Sequence, residues 1–407
     1  MSDDDAERQP PLPMPEGLFD VSEPSAQPKI RVELDDAGYS TDVETEDIGE
    51  RIDNPFDPDL IEVQTRNPTV ALLLNRIRRN TIDLAPDFQR RPGIWTRQAQ
   101  SRLIESLLLR ITLPTLYAAE GDDDTWAVVD GVQRLTTIAR FVAPETIGAE
   151  PLRLTGLEYL TEYKDYAFGD LPGRLQTRIE ETELVVLLIR RGTPEEVKFN
   201  IFARINTGGR PLTRQELRHA LIPGQARGFL ADLSRSKAFQ EATARSVSPE
   251  RMSDREMCLR FLAFSLTPPE GYKGQDFDGF LRNAMHALNG LDTRELGGLS
   301  HAFWNAMYAS HVVFGQHAFR KRFRGSTRRN PVNKALFESQ AVTLSHYSQD
   351  QIRTLSARQD QVAEGFLRLM ENTDFFNAVS AGTGDAGKVR LRFRMLDEMF
   401  QEVLKGA

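Results

Sequence analysis

The chain has 407 residues, 40% of them hydrophobic, enough to bury a substantial core and long enough for two folded units. It contains no run of about 18 apolar residues, so no membrane span is expected. Its single cysteine, Cys258, excludes a disulfide framework and a cysteine-based zinc site, and fits a reducing cytoplasm.

The net charge of −8 is unevenly spread: residues 1–60 hold 18 acidic against 4 basic side chains, and the remainder carries a net +6. Eight of the 22 prolines also lie in the first 60 residues, with only Phe19, Tyr39 and Phe56 as aromatics. Such a segment reads as a disordered acidic tail over 1–65, serving solubility or competing with nucleic acid for a basic body.

Order is expected from about Ile61. Val70, Leu72, Leu73, Leu74 and Ile77 predict a helix entered through Pro68. Next comes the proline-broken stretch Asp87-Phe88-Gln89-Arg90-Arg91-Pro92, with Trp95 close behind. Two arginines and a glutamine beside an aromatic can grip phosphate and stack a base, or the aromatics can plug the core while the arginines are solvated. Thr96 then caps a helix whose stripe is Leu103, Ile104, Leu107, Leu108 and Ile111.

Residues 115–120 and 125–130 read as two strands about an acidic turn. The second runs through Asp130 and Gly131 into a helix with apolar positions Val132, Leu135, Ile138, Ala139 and Val142. This strand–Asp-Gly–helix junction suits a phosphate: a helix start offers unpaired N–H groups and partial positive charge, and glycine allows close approach. Arg134 adds a permanent forked cation, Gln133 a hydrogen-bonding amide, and Asp130 a group that can cap the helix or hold a metal ion. An Asp-Gly helix start is also common as plain structure.

A buried strand is expected over 182–191. Thr193 with Glu196, Thr213 with Glu216, and Ser253 with Glu256 read as three capping boxes. Between the first two, a helix stops at Asn206-Thr207-Gly208-Gly209-Arg210, a polar turn that is either a glycine C-cap or a face for a nucleotide. From about 226 the pattern is almost wholly helical. Within it, Arg320, Lys321, Arg322, Arg324, Arg328, Arg329 and Lys334 interleave with Phe319 and Phe323, either a nucleic-acid-binding face or a solvated surface. Lys388, Arg390, Arg392 and Arg394 alternate with apolar residues in a strand-like way. The six histidines lack metal-ligand spacing, so no metal site is expected from them. A nucleophile–base pair, a Walker A loop and a dinucleotide fingerprint are likewise missing.

Taken in order, Phe88-Gln89-Arg90-Arg91, Trp95, Leu103-Ile104-Glu105-Ser106-Leu107-Leu108, Leu113-Pro114, Asp130-Gly131-Val132-Gln133-Arg134-Leu135 and Asn206-Thr207-Gly208-Gly209 with Leu212-Thr213 resemble the N-terminal domain of the GmrSD-type modification-dependent restriction endonucleases. The resemblance implies an α+β fold: a core over 66–222 like that of ParB N-terminal domains and sulfiredoxin, then a mainly helical domain over 223–407. It also implies binding and hydrolysis of a nucleoside triphosphate with Mg2+, in an anti-phage restriction system.

On that basis Asp130, Gln133 and Arg134 are the expected catalytic residues. Gln89, Arg90, Trp95, Gly131, Asn206, Thr207, Gly208 and Arg210 are the expected nucleotide contacts. Arg320, Lys321, Arg322, Arg324, Arg328 and Arg329 are the expected DNA contacts. Full-length enzymes of this group carry an HNH nuclease motif, which residues 223–407 lack, so cutting is expected of a separate nuclease or effector subunit. The alternative is a non-catalytic DNA-sensing or adaptor subunit.

Overall fold

The computed structural model describes residues 30–34, 38–49, 60–84, 95–121, 124–205, 212–274 and 276–406. Its first half is built on a mixed sheet. In chain order the elements are β3 (Val63–Arg66), α1 (Val70–Arg78), β4 (Ile82–Asp83), α2 (Arg97–Leu108), β5 (Leu116–Glu120), β6 (Trp126–Asp130), α3 (Val132–Val142), α4 (Gly173–Glu181) and β7 (Val186–Ile189). The strand order is β3-β7-β5-β6-β4. β5 is antiparallel to β6 and parallel to β7, and β4 is parallel to β6.

Strand periodicity sorts the side chains between two cores. Leu116, Ala118, Trp126, Val128, Val186 and Leu188 join the core formed with α1, α2, α3 and α4. Ala119, Val129 and Ile189 point the other way, into the core of the helical half. β7 pairs on both sides, which explains its unbroken apolar run.

Glu105 of α2 is buried on the apolar side of its helix. It accepts backbone N–H bonds from Glu158, Tyr159 and Leu160 at 2.7–3.1 Å, tying a long loop to α2. Burial disfavours its charge, yet these N–H groups and Arg102 outweigh that and hold its carboxyl below the ordinary range. A depressed carboxylate stabilises the fold above its unfolded pKa, and that contribution is lost as pH falls through the folded value. Glu105→Gln should therefore cost roughly 1.5–3 kcal/mol at neutral pH and flatten the acid limb of a pH–stability curve. Urea midpoints for both proteins between pH 7 and pH 3 check it, and curves that stay parallel throughout would contradict it.

The second half is helical, with α5 (Glu195–Ile205), α6 (Arg214–Leu221), α7 (Gln225–Arg235), α8 (Lys237–Ala242), α9 (Ser253–Leu266), α10 (Phe277–Gly290), α11 (Thr293–Phe314), α12 (Lys334–Ser345), α13 (Gln349–Ala357), α14 (Gln359–Glu371), α15 (Thr373–Ala378) and α16 (Ala386–Lys405). α12 is buried from Lys334 to Leu344, so it forms the axis around which the others pack. The capping box of Thr213 and Glu216 forms at the start of α6.

The other two expected boxes do not form as such. Thr193 accepts the Glu62 N–H at 3.1 Å. At α9 the N-cap is Met252 in the left-handed region, and Ser253 donates to Glu33 at 2.8 Å. The strand-like alternation over 388–394 lies inside α16, where Arg392 turns inward to Glu338.

The expectation of a disordered tail over 1–65 fails for residues 30–34, 38–49 and 60–65. β1 (Val32–Leu34) and β2 (Ser40–Glu44) pair antiparallel, and the segment straps across the helical half. Val43 is fully buried in that core. Glu44 N–H donates to Val332 O and Val332 N–H to Asp42 O, both at 2.8 Å. Further along, Thr383 and Gly384 donate to Asp47 O and Ile48 O at 3.0 and 3.1 Å.

The strap's acids meet buried cations: Glu33 with Lys334 at 2.7 Å, Asp42 with Arg320 at 2.9 Å, and Glu44 with Lys321 at 2.7 Å. Glu46 joins Arg260, which also holds Glu256 at 2.9 Å and Glu338 at 3.2 Å. Burial opposes the charge of Glu256, but Lys334, Arg260 and Arg218 keep it far below the ordinary carboxylate range. Residues 1–29 and 50–59 lie outside the described residues.

Candidate nucleotide site at the strand–helix junction

Asp130 ends β6 and has the parity of Trp126 and Val128, so it faces the side where α3 returns across the sheet. It pairs with Tyr117 of β5, and the ladder shifts register between Tyr117 and Ala118. Such an irregularity re-aims the strand end. Gly131 follows at φ +94° and is the N-cap of α3. The left-handed turn needs glycine, and so does the space: a Cβ here would lie 2.1 Å from Leu116 Cδ2.

Gly131 has no side chain to cap α3 and none among the described residues does so, which leaves the N–H groups of the first turn their anion-attracting character. Asp130 is therefore not the cap. Its Oδ2 instead accepts from Arg134 Nη2 at 2.9 Å.

Arg134 differs most from expectation. Its side chain is only 10% exposed, and Asp130's is 37% exposed. The second guanidinium nitrogen donates to Pro114 O and, at 3.2 Å, to Thr115 O. The fork thus clamps the Asp130 carboxylate to the chain entering β5. Arg134 is committed to positioning and is not a free cation above the site. Gln133 is half-exposed, and its amide has no hydrogen-bond partner among the described residues. Together the junction offers an aimed carboxylate, a free amide and an open helix start.

Asp83 of β4 is aligned with Ala127 of β6, and the two strands are parallel. The chain thus leaves β4 in the direction of Asp130. Gln89, Arg90, Asn206, Thr207, Gly208 and Arg210 are outside the described residues. Trp95 is described: its ring is half-buried against the core of α2 and α3, and its carbonyl accepts from Gln100 at 2.8 Å. Its buried part helps to fill that core.

The basic cluster is not one exposed face. Arg320 and Lys321 are 1% and 3% exposed and are paired with the strap. Arg324 forms ion pairs with Glu364 at 2.9 Å and Glu371 at 2.7 Å. Arg329 lies 3.7 Å from Asp42. Arg322 and Arg328 have no carboxylate partner among the described residues. The alternation of cations with Phe319 and Phe323 reflects a segment threaded through the interior: Phe319 is fully buried against Phe337 and Phe323 packs on Phe376.

Pro114, Thr115 and Leu116, which complete the junction, carry no chemical signal in their side chains. Only the adjacent Leu113-Pro114 motif marks their place.

The fold and junction define an α+β domain in which a strand delivers an acidic residue through a left-handed glycine to an uncapped helix start. Residues 70–223 match the family model described as the GmrSD restriction endonuclease, N-terminal domain. That stretch is therefore similar to the N-terminal domain of those enzymes; the match does not extend to the helical half beyond residue 223. No curated protein and no solved structure matches the chain. Among the described residues, no helix is long and apolar enough to cross a membrane.

Proposed function

We propose that this protein binds and slowly hydrolyses a nucleoside triphosphate as the switch of a DNA restriction system, on a core of the ParB and sulfiredoxin type, with cutting left to a separate nuclease or effector subunit. The observation that carries this reading is the uncapped first turn of α3 beside the clamped carboxylate of Asp130. Phosphoryl transfer asks mainly for positioning and charge stabilisation, so a nucleophilic triad is not required. The helix start would receive phosphate oxygens, and Gln133 would orient a phosphate oxygen or the attacking water.

Mg2+ is commonly held by one or two carboxylates together with substrate phosphates and water. Asp130 fits that role, since only its Oδ2 is engaged by Arg134 and its other oxygen has no partner among the described residues. The ion would supply charge neutralisation on the phosphates.

Phosphate release from the purified protein tests the reading, with ATP, GTP, CTP and UTP each supplied with Mg2+, with and without DNA. Turnover is expected for at least one nucleotide and should fall roughly 100-fold or more in Asp130→Ala. No turnover, together with no nucleotide binding by calorimetry, would remove the reading. In that case a DNA-sensing or adaptor subunit would be the better description.

A further inference from the structure

Beside the junction lies a second concavity of about 340 Å3, between the end of α2, the 109–113 turn and the link from α4 to β7. That is near the lower end of the range for small-molecule sites, roughly 300–1,000 Å3. Leu107, Ile111, Leu113, Leu184 and Val185 supply its apolar surface, beside polar and charged side chains that include Arg110. Ile111 and Val185 are 53% and 42% exposed, an open apolar surface that no side chain covers. Two carboxylates, Glu181 and Glu183, stand among the lining residues. Of the two arginines there, Arg178 is committed to Leu108 O at 2.8 Å.

The concavity and the junction share a wall. Leu113 lines the concavity, and the next two carbonyls, of Pro114 and Thr115, are those that Arg134 holds. Val185 also lines it, and its carbonyl accepts the N–H of Leu116, the residue packed on Gly131.

We infer that this concavity receives the base of the nucleotide whose phosphates lie at the start of α3. The inference rests on the nucleotide reading above. Apolar walls suit a flat ring, and carboxylates suit the amino or imino N–H groups on a base edge. The apolar surface and the uncapped helix start set the orientation: base over Ile111 and Val185, phosphates at Gly131 and Gln133.

Calorimetry with nucleoside triphosphates and with inorganic tripolyphosphate, both with Mg2+, separates the two ends. Ile111→Ser removes apolar surface and Ile111→Trp fills the space; because the site is exposed, both should fold, which a thermal melt confirms. Both are expected to weaken nucleotide binding about tenfold or more while tripolyphosphate binds as in the unaltered protein. Glu183→Gln should change the ranking among the four bases. If the unaltered protein binds nucleotide and both Ile111 variants bind it equally well, the base lies elsewhere and the inference is overturned while the nucleotide reading stands. If the unaltered protein binds neither nucleotide nor tripolyphosphate, both are overturned.

Discussion

Removing residues 1–49 should unfold the helical half and should not uncover a nucleic-acid-binding face. The truncation strips the carboxylate partners from Arg320 and Lys321, one of two from Lys334 and one of three from Arg260, all four buried. Breaking a buried ion pair from one side costs about 3–5 kcal/mol, because the remaining charge stays desolvated. Losing Val43 from the core adds about 1.5–3 kcal/mol. Several such losses together exceed the roughly 5–15 kcal/mol by which a domain is stable. The truncated protein should therefore show no cooperative thermal transition for its helices by circular dichroism. A sharp melt within a few degrees of the full chain, with stronger DNA binding at low salt, would instead mark the segment as a displaceable competitor.

The second expected result concerns Arg134. Arg134→Lys should lower kcat for nucleotide hydrolysis by roughly 100-fold while leaving KM within about threefold, with a stability loss of roughly 3 kcal/mol. Lysine is a point charge on a flexible stem and cannot span Asp130, Pro114 and Thr115 as the planar fork does. Asp130 would keep its charge but lose its aim, so the transition state suffers more than binding. A guanidinium that only bound the phosphates of the ground state would give the opposite split, a large rise in KM with kcat unchanged. Kinetics on both proteins, with thermal melts alongside, decide between these roles.

Local patterns made much of the sheet half legible. β5, β6 and α3 follow from period-two and period-3.6 spacing, and the Thr213–Glu216 box marks the start of α6 correctly. The Asp-Gly junction is visible because a glycine between strand and helix is a local signal. The use of Arg134 is not, since its acceptors are backbone carbonyls 19 and 20 residues away.

The strap fails for a different reason. Counting acids in 1–60 treats each as solvated, while Glu33, Asp42 and Glu44 are neutralised by Lys334, Arg320 and Lys321, cations that the same reasoning offered as an exposed face, and Glu46 by Arg260. Excess acid in one segment and excess base in another were complementary halves of one interior, and composition taken by segment cannot pair them. The misreading of 388–394 arose inside a long helix, where a short run alternates by chance and Arg392 lies at a position buried by Glu338.

The strap also sets an order of events during synthesis. Glu33 and Lys334 are 301 residues apart, and Asp42 and Arg320 are 278 apart. At roughly 5–20 residues per second, the ribosome makes the strap about 15–60 s before its partners emerge. The sheet unit can form meanwhile, but the helical unit must wait until residues 320–334 are made before the strap can close over them. A bulky fusion placed just ahead of residue 30 would obstruct this last closure, even though it touches nothing near Asp130.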